Sequence, residues 1–229
     1  MRRVALFPLA VFVMAWGTEA PSHPVRREPY TAIVRQVSGG VRSVGDDTTE
    51  ATDVKVGDIP EKGRTFVTAE NGLLVMRFHP DFMRIEARSR TRFQLSYPRA
   101  DSTRERRLTL IQGQMVFGVT RHGPPLAVED AHSSARTGDA RFSFTSNSEA
   151  STLVVLDGVV KVHNNTSDET GTITRSRKAV SDAKGLHITD ASAGDLKEVG
   201  LRQNTIEVDF WNPATEKSST LEMEYENNF

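Results

Sequence analysis

The sequence predicts an all-β protein, on three observations. Short segments alternate apolar and polar residues with a period of two, as in Arg107 to Thr120, RLTLIQGQMVFGVT. Side chains on a strand point to opposite faces in turn, so such a run makes a strand with one buried face. Almost no segment carries a helical stripe. Strand-like runs recur about every 9–12 residues with turn residues between them, which is too close for βαβ crossovers and excludes a parallel α/β sheet.

Taken in order, Pro21 to Pro29 is a proline-rich leader, and Tyr30 to Val37 is the first strand. Gly39-Gly40 turns the chain into Val41–Val44, and Gly45 to Asp53 is a polar loop. Arg64–Ala69, Leu73–Phe78, Phe82–Ala87 and Thr91–Tyr97 follow. The turn at Asn71-Gly72 is expected to use positive φ. Pro98 to Arg106 reads as a charged loop, and Arg107–Thr120 as two strands bent at Gln112-Gly113. Leu126–Glu129, His132–Arg136, Ala140–Phe144 and Thr152–Leu156 come next. Asp157-Gly158 is expected to turn the chain into Val159–His163, and Lys178–Val180 and Leu186–Thr189 follow a polar loop. Ala193 to Gly200 is the one plausible helical turn. Thr205–Trp211 and Thr220–Glu226 read as a C-terminal β-hairpin with a loop of several residues. The organisation expected is a signal peptide at 1–20, a leader at 21–29, a β domain at 30–199 and a hairpin at 200–229. The spacing leaves sandwich, barrel and β-solenoid open, because no repeat is regular enough to decide.

The chain has 229 residues, 26% of them charged, with a formal net charge of −1. No global field draws nucleic acid or acidic lipid. A locally basic stretch holds Arg84, Arg88, Arg90, Arg92, Arg99, Arg104, Arg106 and Arg107, and reads as a solvated face rather than a nucleic-acid site. Arg2-Arg3, the apolar Val4 to Gly17 and Thr18-Glu19-Ala20 form a secretory signal pattern. The apolar stretch is shorter than the ~20 residues of a spanning helix, and no other segment could cross a membrane. Cysteine is absent, so an exported fold depends on its core alone, and a bacterial periplasmic or secreted location fits best. Asn164 and Asn165 each begin a sequon, taken here as part of a turn.

No catalytic set emerges, so the chain reads as a non-enzyme without cofactor or metal. His79-Pro80-Asp81 offers two potential metal ligands in a turn, without a third nearby in sequence, and His79 reads as a surface histidine. Asp46-Asp47 and Asp157 sit in turns, where Asp caps backbone amides. Ser133 and Ser134 follow His132 but lack a nucleophile elbow, and no helix follows Gly39-Gly40 to make a phosphate loop. Trp211, Tyr97 and Phe117 could stack on sugars if exposed, and are more often core residues.

The order of segments resembles the FecR-type domain, the ferric-citrate-regulator family of bacterial sensor ectodomains. The residues that carry the resemblance are Val37-Ser38-Gly39-Gly40-Val41, Gly57-Asp58-Ile59, Leu73 to Phe78, Gln112 to Val119, Thr137 to Phe144 and Val155 to Val162, VLDGVVKV. Each motif is short, and their order carries the weight from Tyr30 to Val199. The resemblance implies a wound double-layer or solenoid-like β domain, with a β-sandwich as the alternative. It also implies an exported module that contacts an envelope protein. FecR-type regulators carry a sigma-factor-binding segment and a transmembrane helix before this domain. Here a signal-like segment stands in their place, which leaves an accessory role in cell-surface signalling. A carbohydrate- or cell-wall-binding module is the alternative. The motif residues are architectural, so no binding residue is singled out.

Overall fold

The computed structural model describes residues 31–45, 51–61, 63–96 and 105–200, with the backbone of strands 205–212 and 217–224. The expected signal and leader lie outside the described residues, as do Asp46, Asp47, Tyr97, Arg99 and Arg104. The described chain is almost entirely β. Its first strands are β1 (Thr31–Ser38), β2 (Val41–Val44), β3 (Ala51–Asp53), β4 (Thr65–Thr68), β5 (Leu73–His79), β6 (Arg84–Ala87) and β7 (Arg92–Ser96). They are followed by β8 (Arg106–Val119), β9 (Leu126–Glu129), β10 (Ser133–Thr137), β11 (Ala140–Ser146), β12 (Ala150–Asn164), β13 (Thr170–Thr174), β14 (Arg177–Asp182) and β15 (Gly185–Asp190). Helix α1 (Ala193–Val199) comes next, then β16 (Thr205–Asn212) and β17 (Lys217–Glu224).

The strands form two packed layers joined through two long strands. One layer runs β1–β5–β6–β8–β11–β12–β14–β15. The other runs β3–β2–β4–β7–β8–β9–β10–β12–β13. β8 and β12 belong to both: each spends one half in one layer and crosses to the other. The ladder β8–β11–β12–β10–β9–β8 therefore closes on itself as a small barrel. On the other side of β8 the layers are tied by Val34 N–H to Asp58 C=O at 2.9 Å and Gly57 N–H to Val34 C=O at 2.8 Å. Of the arrangements left open by the sequence, this is the double-layer one, with almost wholly antiparallel pairing. β8 and β9 pair in parallel, Arg106 opposite Leu126. A parallel return normally needs a long crossover, and here the second half of β8, lying in the other layer, serves as one.

Both crossings use the same local device. In β8 the register slips at Ile111, and two residues later Gly113 has φ 103°. In β12 it slips at Leu156, and two residues later Gly158 has φ 84°. The extra residue is a β-bulge, and the positive-φ glycine bends the strand. The bulge also changes which parity faces inward. Leu108 and Leu110 point into the core before the bend, and Met115, Phe117 and Val119 after it. Leu153 and Val155 give way to Val160 and Val162 in the same manner. The bend expected at Gln112-Gly113 is thus observed. The turn expected at Asp157-Gly158 is not: β12 is continuous there, because the residues on both sides pair with neighbouring strands.

Between the layers lies one hydrophobic core that includes the fully buried Phe78, Phe93, Phe117, Phe142 and Phe144. Phe117 stacks on Phe142 at 4.8 Å and Phe66 on Phe93 at 5.3 Å. Phe117 is therefore a core residue, not a surface platform. The Asn71-Gly72 turn forms where expected, yet without positive φ at either residue. Glycine is needed there for space: a Cβ on Gly72 would come within 2.7 Å of the Gly40 carbonyl oxygen. Strands β3 and β13 both fall in stretches read from sequence as loop: β3 is exposed throughout, and on β13, which pairs with β12, only Ile173 is buried.

Helix α1 covers part of one layer's outer face. Ser192 caps it, accepting from Asp195 N–H, while the Asp195 carboxylate accepts from Ser192 N–H. Val199 and Leu196 pack on Val116 and Val154. Lys178 Nζ donates to Asp195 Oδ1 at 2.9 Å and, with the Ser192 bonds, holds that carboxyl at a pKa of about 2. At the other end Arg88 Nη2 donates to Gly200 C=O at 3.3 Å, a cation at a helix C-terminus. The C-terminal strands pair as expected, Thr205 opposite Glu224 through Asn212 opposite Lys217, in a two-stranded sheet of their own. No helix among the described residues is long and apolar enough to cross a membrane.

Candidate functional site

The outer face of the helix-bearing layer carries a row of residues in register across five strands. Arg77 on β5 stands opposite Arg84 on β6, which stands opposite Gly118 on β8. Gly118 in turn faces Arg141 on β11, and Arg141 faces Asp157 on β12. All are on the outer face because their neighbours Met76, Phe78, Ile85, Phe117, Ala140 and Phe142 fill the core. Helix α1 covers the adjoining row, with Val116 and Val154, and leaves this one open.

The result is a groove of about 390 Å³ across the strands. Gly118 provides a floor without a side chain, Arg77, Arg84 and Arg141 supply positive charge, and Asp139 and Asp157 mark one end. Four inter-strand gaps give the row a length of about 19 Å. Like charges directly opposite on neighbouring strands destabilise a sheet. The Arg77–Arg84 pair is partly offset by Glu86 on β6, which is 1% exposed. Glu86 lies 3.8 Å from Arg84 Nη2 and 3.2 Å from Arg88 Nε. Arg141 is exposed and makes no ion pair among the described residues.

Phe82 forms the rim. It is 51% exposed and has φ 57°, a backbone region costly for a bulky residue. Three contacts hold the turn in that shape. Thr120 Oγ1 donates to Asp81 C=O at 2.6 Å. The Asp81 carboxylate pairs with Arg106 Nη2 at 2.6 Å, both side chains being 3% exposed or less. His79 meets the Phe82 ring edge-on at 5.6 Å. The turn thus holds an exposed aromatic beside the groove, at a backbone cost.

The other residues weighed from sequence do not assemble a site. His79 is half-buried and lies 3.3 Å from Arg35 Nη2, while Asp81, read as part of a surface turn, is buried against Arg106. Ser133 is buried and tied to Asp130, and His132 Nε2 lies 3.1 Å from the Asn147 carbonyl oxygen. Asn164 is fully buried. Its Nδ2 donates to Ser181 and to the Asp182 and Gly185 carbonyls, so it builds a turn and cannot carry a glycan. The basic stretch is dispersed: Arg84 lines the groove, Arg88 lies beneath α1, Arg90 pairs with Glu70, Arg106 is buried and Arg107 pairs with Glu105. Among the described residues no group of His, Asp or Glu could hold a metal ion. Sequence reasoning missed Arg77 and Arg141. The available signal was an arginine interrupting each alternating run, in VMRF and DARFSF, but their registration is tertiary.

Comparison with known proteins agrees with the architecture. Residues 64–161 match the family model described as FecR protein, a span that contains every residue lining the groove. Two crystal structures, each of a candidate anti-sigma factor from Parabacteroides distasonis ATCC 8503, have similar folds. One has a TM-score of 0.51 at 15% identity, covering 66% of this chain and 69% of its own. The other has a TM-score of 0.50 at 15% identity, covering 66% and 70%. No curated protein matches the chain. The match runs from β4 into β12, so residues 64–161 of this chain are similar to the FecR protein family.

Proposed function

We propose that this chain is an exported, non-enzymatic FecR-type module that works through protein contacts in the bacterial envelope, as an accessory to cell-surface signalling. The carrying observation is that the FecR match coincides with the strands that build the open groove. The family is one of regulatory proteins, and two structures of similar fold bear an anti-sigma factor description. Export to the periplasm or beyond rests on the signal pattern of residues 2–20. In this reading residues 30–199 are the working domain and residues 200–229 an appended hairpin. The carbohydrate-binding alternative rested on Tyr97 and Trp211, whose side chains lie outside the described residues.

The test is expression of the full chain in a Gram-negative host with a photo-crosslinking amino acid at Arg141 or at Lys161. Processing after Ala20, recovery from the periplasm and a discrete protein adduct from either position are the expected results. An unprocessed chain confined to the cytoplasm would overturn the reading.

A further inference from the structure

We infer that the groove is a docking site for an extended, acidic segment of a partner protein, with a carboxylate over Gly118 between Arg84 and Arg141 and an apolar neighbour against Phe82. The inference rests on the protein-contact reading above and names the chemistry of that contact.

Five features select this occupant. Arginines from three different strands line one transverse row, and Arg141 among them is exposed and makes no ion pair among the described residues. Guanidinium groups bind carboxylates through paired N–H donors. Gly118 leaves the floor open between Arg84 and Arg141, so a side chain from a ligand can reach the sheet. The row spans about 19 Å, the length of some six extended residues. Asp139 and Asp157 close one end to further negative charge, which gives the site a direction that a simple anion cannot use. Phe82 adds an apolar anchor at the opposite end of the lining, and its left-handed backbone shows that the position is held at a cost to the turn.

The probe is a fluorescein-labelled ten-residue peptide of alternating Glu and Leu, measured by anisotropy with the purified mature protein at 150 mM salt. Saturable binding is expected, weakened at least tenfold when the peptide's Glu residues are replaced by Gln. Arg141→Glu should weaken it at least tenfold. Because Arg141 is exposed, that variant should keep the wild-type far-UV spectrum and melting temperature. Phe82→Gly should weaken binding several-fold while the melting temperature stays level or rises, since glycine accepts φ 57° freely. Lys161→Glu, on the other layer, should leave binding unchanged. Equal binding of the Gln peptide, equal binding by Arg141→Glu, absence of saturable binding, or displacement by inorganic phosphate or heparin at concentrations matching the peptide would each overturn the proposal. An adduct from Lys161 alone would leave the protein-contact reading standing while removing the groove from it.

Discussion

Removing the Asp81 carboxylate tests how the turn that carries Phe82 is held. Asp81 Oδ2 lies 2.6 Å from Arg106 Nη2, with side chains 1% and 3% exposed. The guanidinium also has Met83 Sδ at 3.1 Å and the Phe78 ring at 5.1 Å, neither of which carries a neutralising charge. Asp81→Ala therefore removes the carboxylate from a buried ion pair, at a cost of about 3–5 kcal/mol. Against a total stability of about 5–15 kcal/mol, that should lower the melting temperature by about 6–20 °C. Replacing both partners, Asp81→Ala with Arg106→Met, should cost much less than the sum of the single changes. The reason is that Asp81 Oδ1 has no hydrogen-bond partner, so desolvation of the carboxylate is incompletely offset. Urea unfolding followed by far-UV circular dichroism gives all four corners of the cycle. A cost below about 1 kcal/mol for Asp81→Ala, or strict additivity in the double variant, would refute the argument.

Three further expectations use other parts of the fold. Gly158→Val forces a β-branched residue into φ 84° and brings its Cβ to 2.7 Å from Ala140 Cα, so about 2–4 kcal/mol should be lost in urea titration. Asn164→Ala leaves the amides of Thr166 and Ser167 without their acceptor, and should cost about 2–3 kcal/mol by the same assay. Asp195 has a folded pKa of about 2, below its ordinary 3.8, so the stability it adds is complete above about pH 5 and is lost as the pH falls through 2. Asp195→Asn should accordingly lower stability by about 1 kcal/mol at pH 7, a value reduced for partial exposure, and the difference should shrink between pH 4 and pH 2.5.

Most of the strands were legible because alternation is a local property. β2 and β9 fall where the pattern put them, and β1, β4 to β8, β10, β11, β14 and β15 differ from it by a few residues at their ends. α1 was legible from its terminal glycine, although Gly200 has φ −56° rather than the left-handed value. β3 and β13 were not legible, because β3 buries no side chain, β13 buries one, and both sequences read as loop. Asp157-Gly158 was misread for a related reason. A glycine after an aspartate signals a turn locally, and only the pairing of β12 on both sides shows that the strand runs through it.

The sequence by itself determined the β class, the alternation that fills one core and the FecR-type order of glycine-marked segments. Even the change of parity across Leu110-Ile111-Gln112-Gly113 and across Val155-Leu156-Asp157-Gly158 is written there. The tertiary structure decided that these two places are crossings between layers, since a bulge acquires meaning only from the strands on either side of it. It alone decided the groove as well. Arg77, Arg84 and Arg141 are separated by 7 and 57 positions in the chain, and strand registration, which depends on hydrogen bonds between distant segments, sets them in one row.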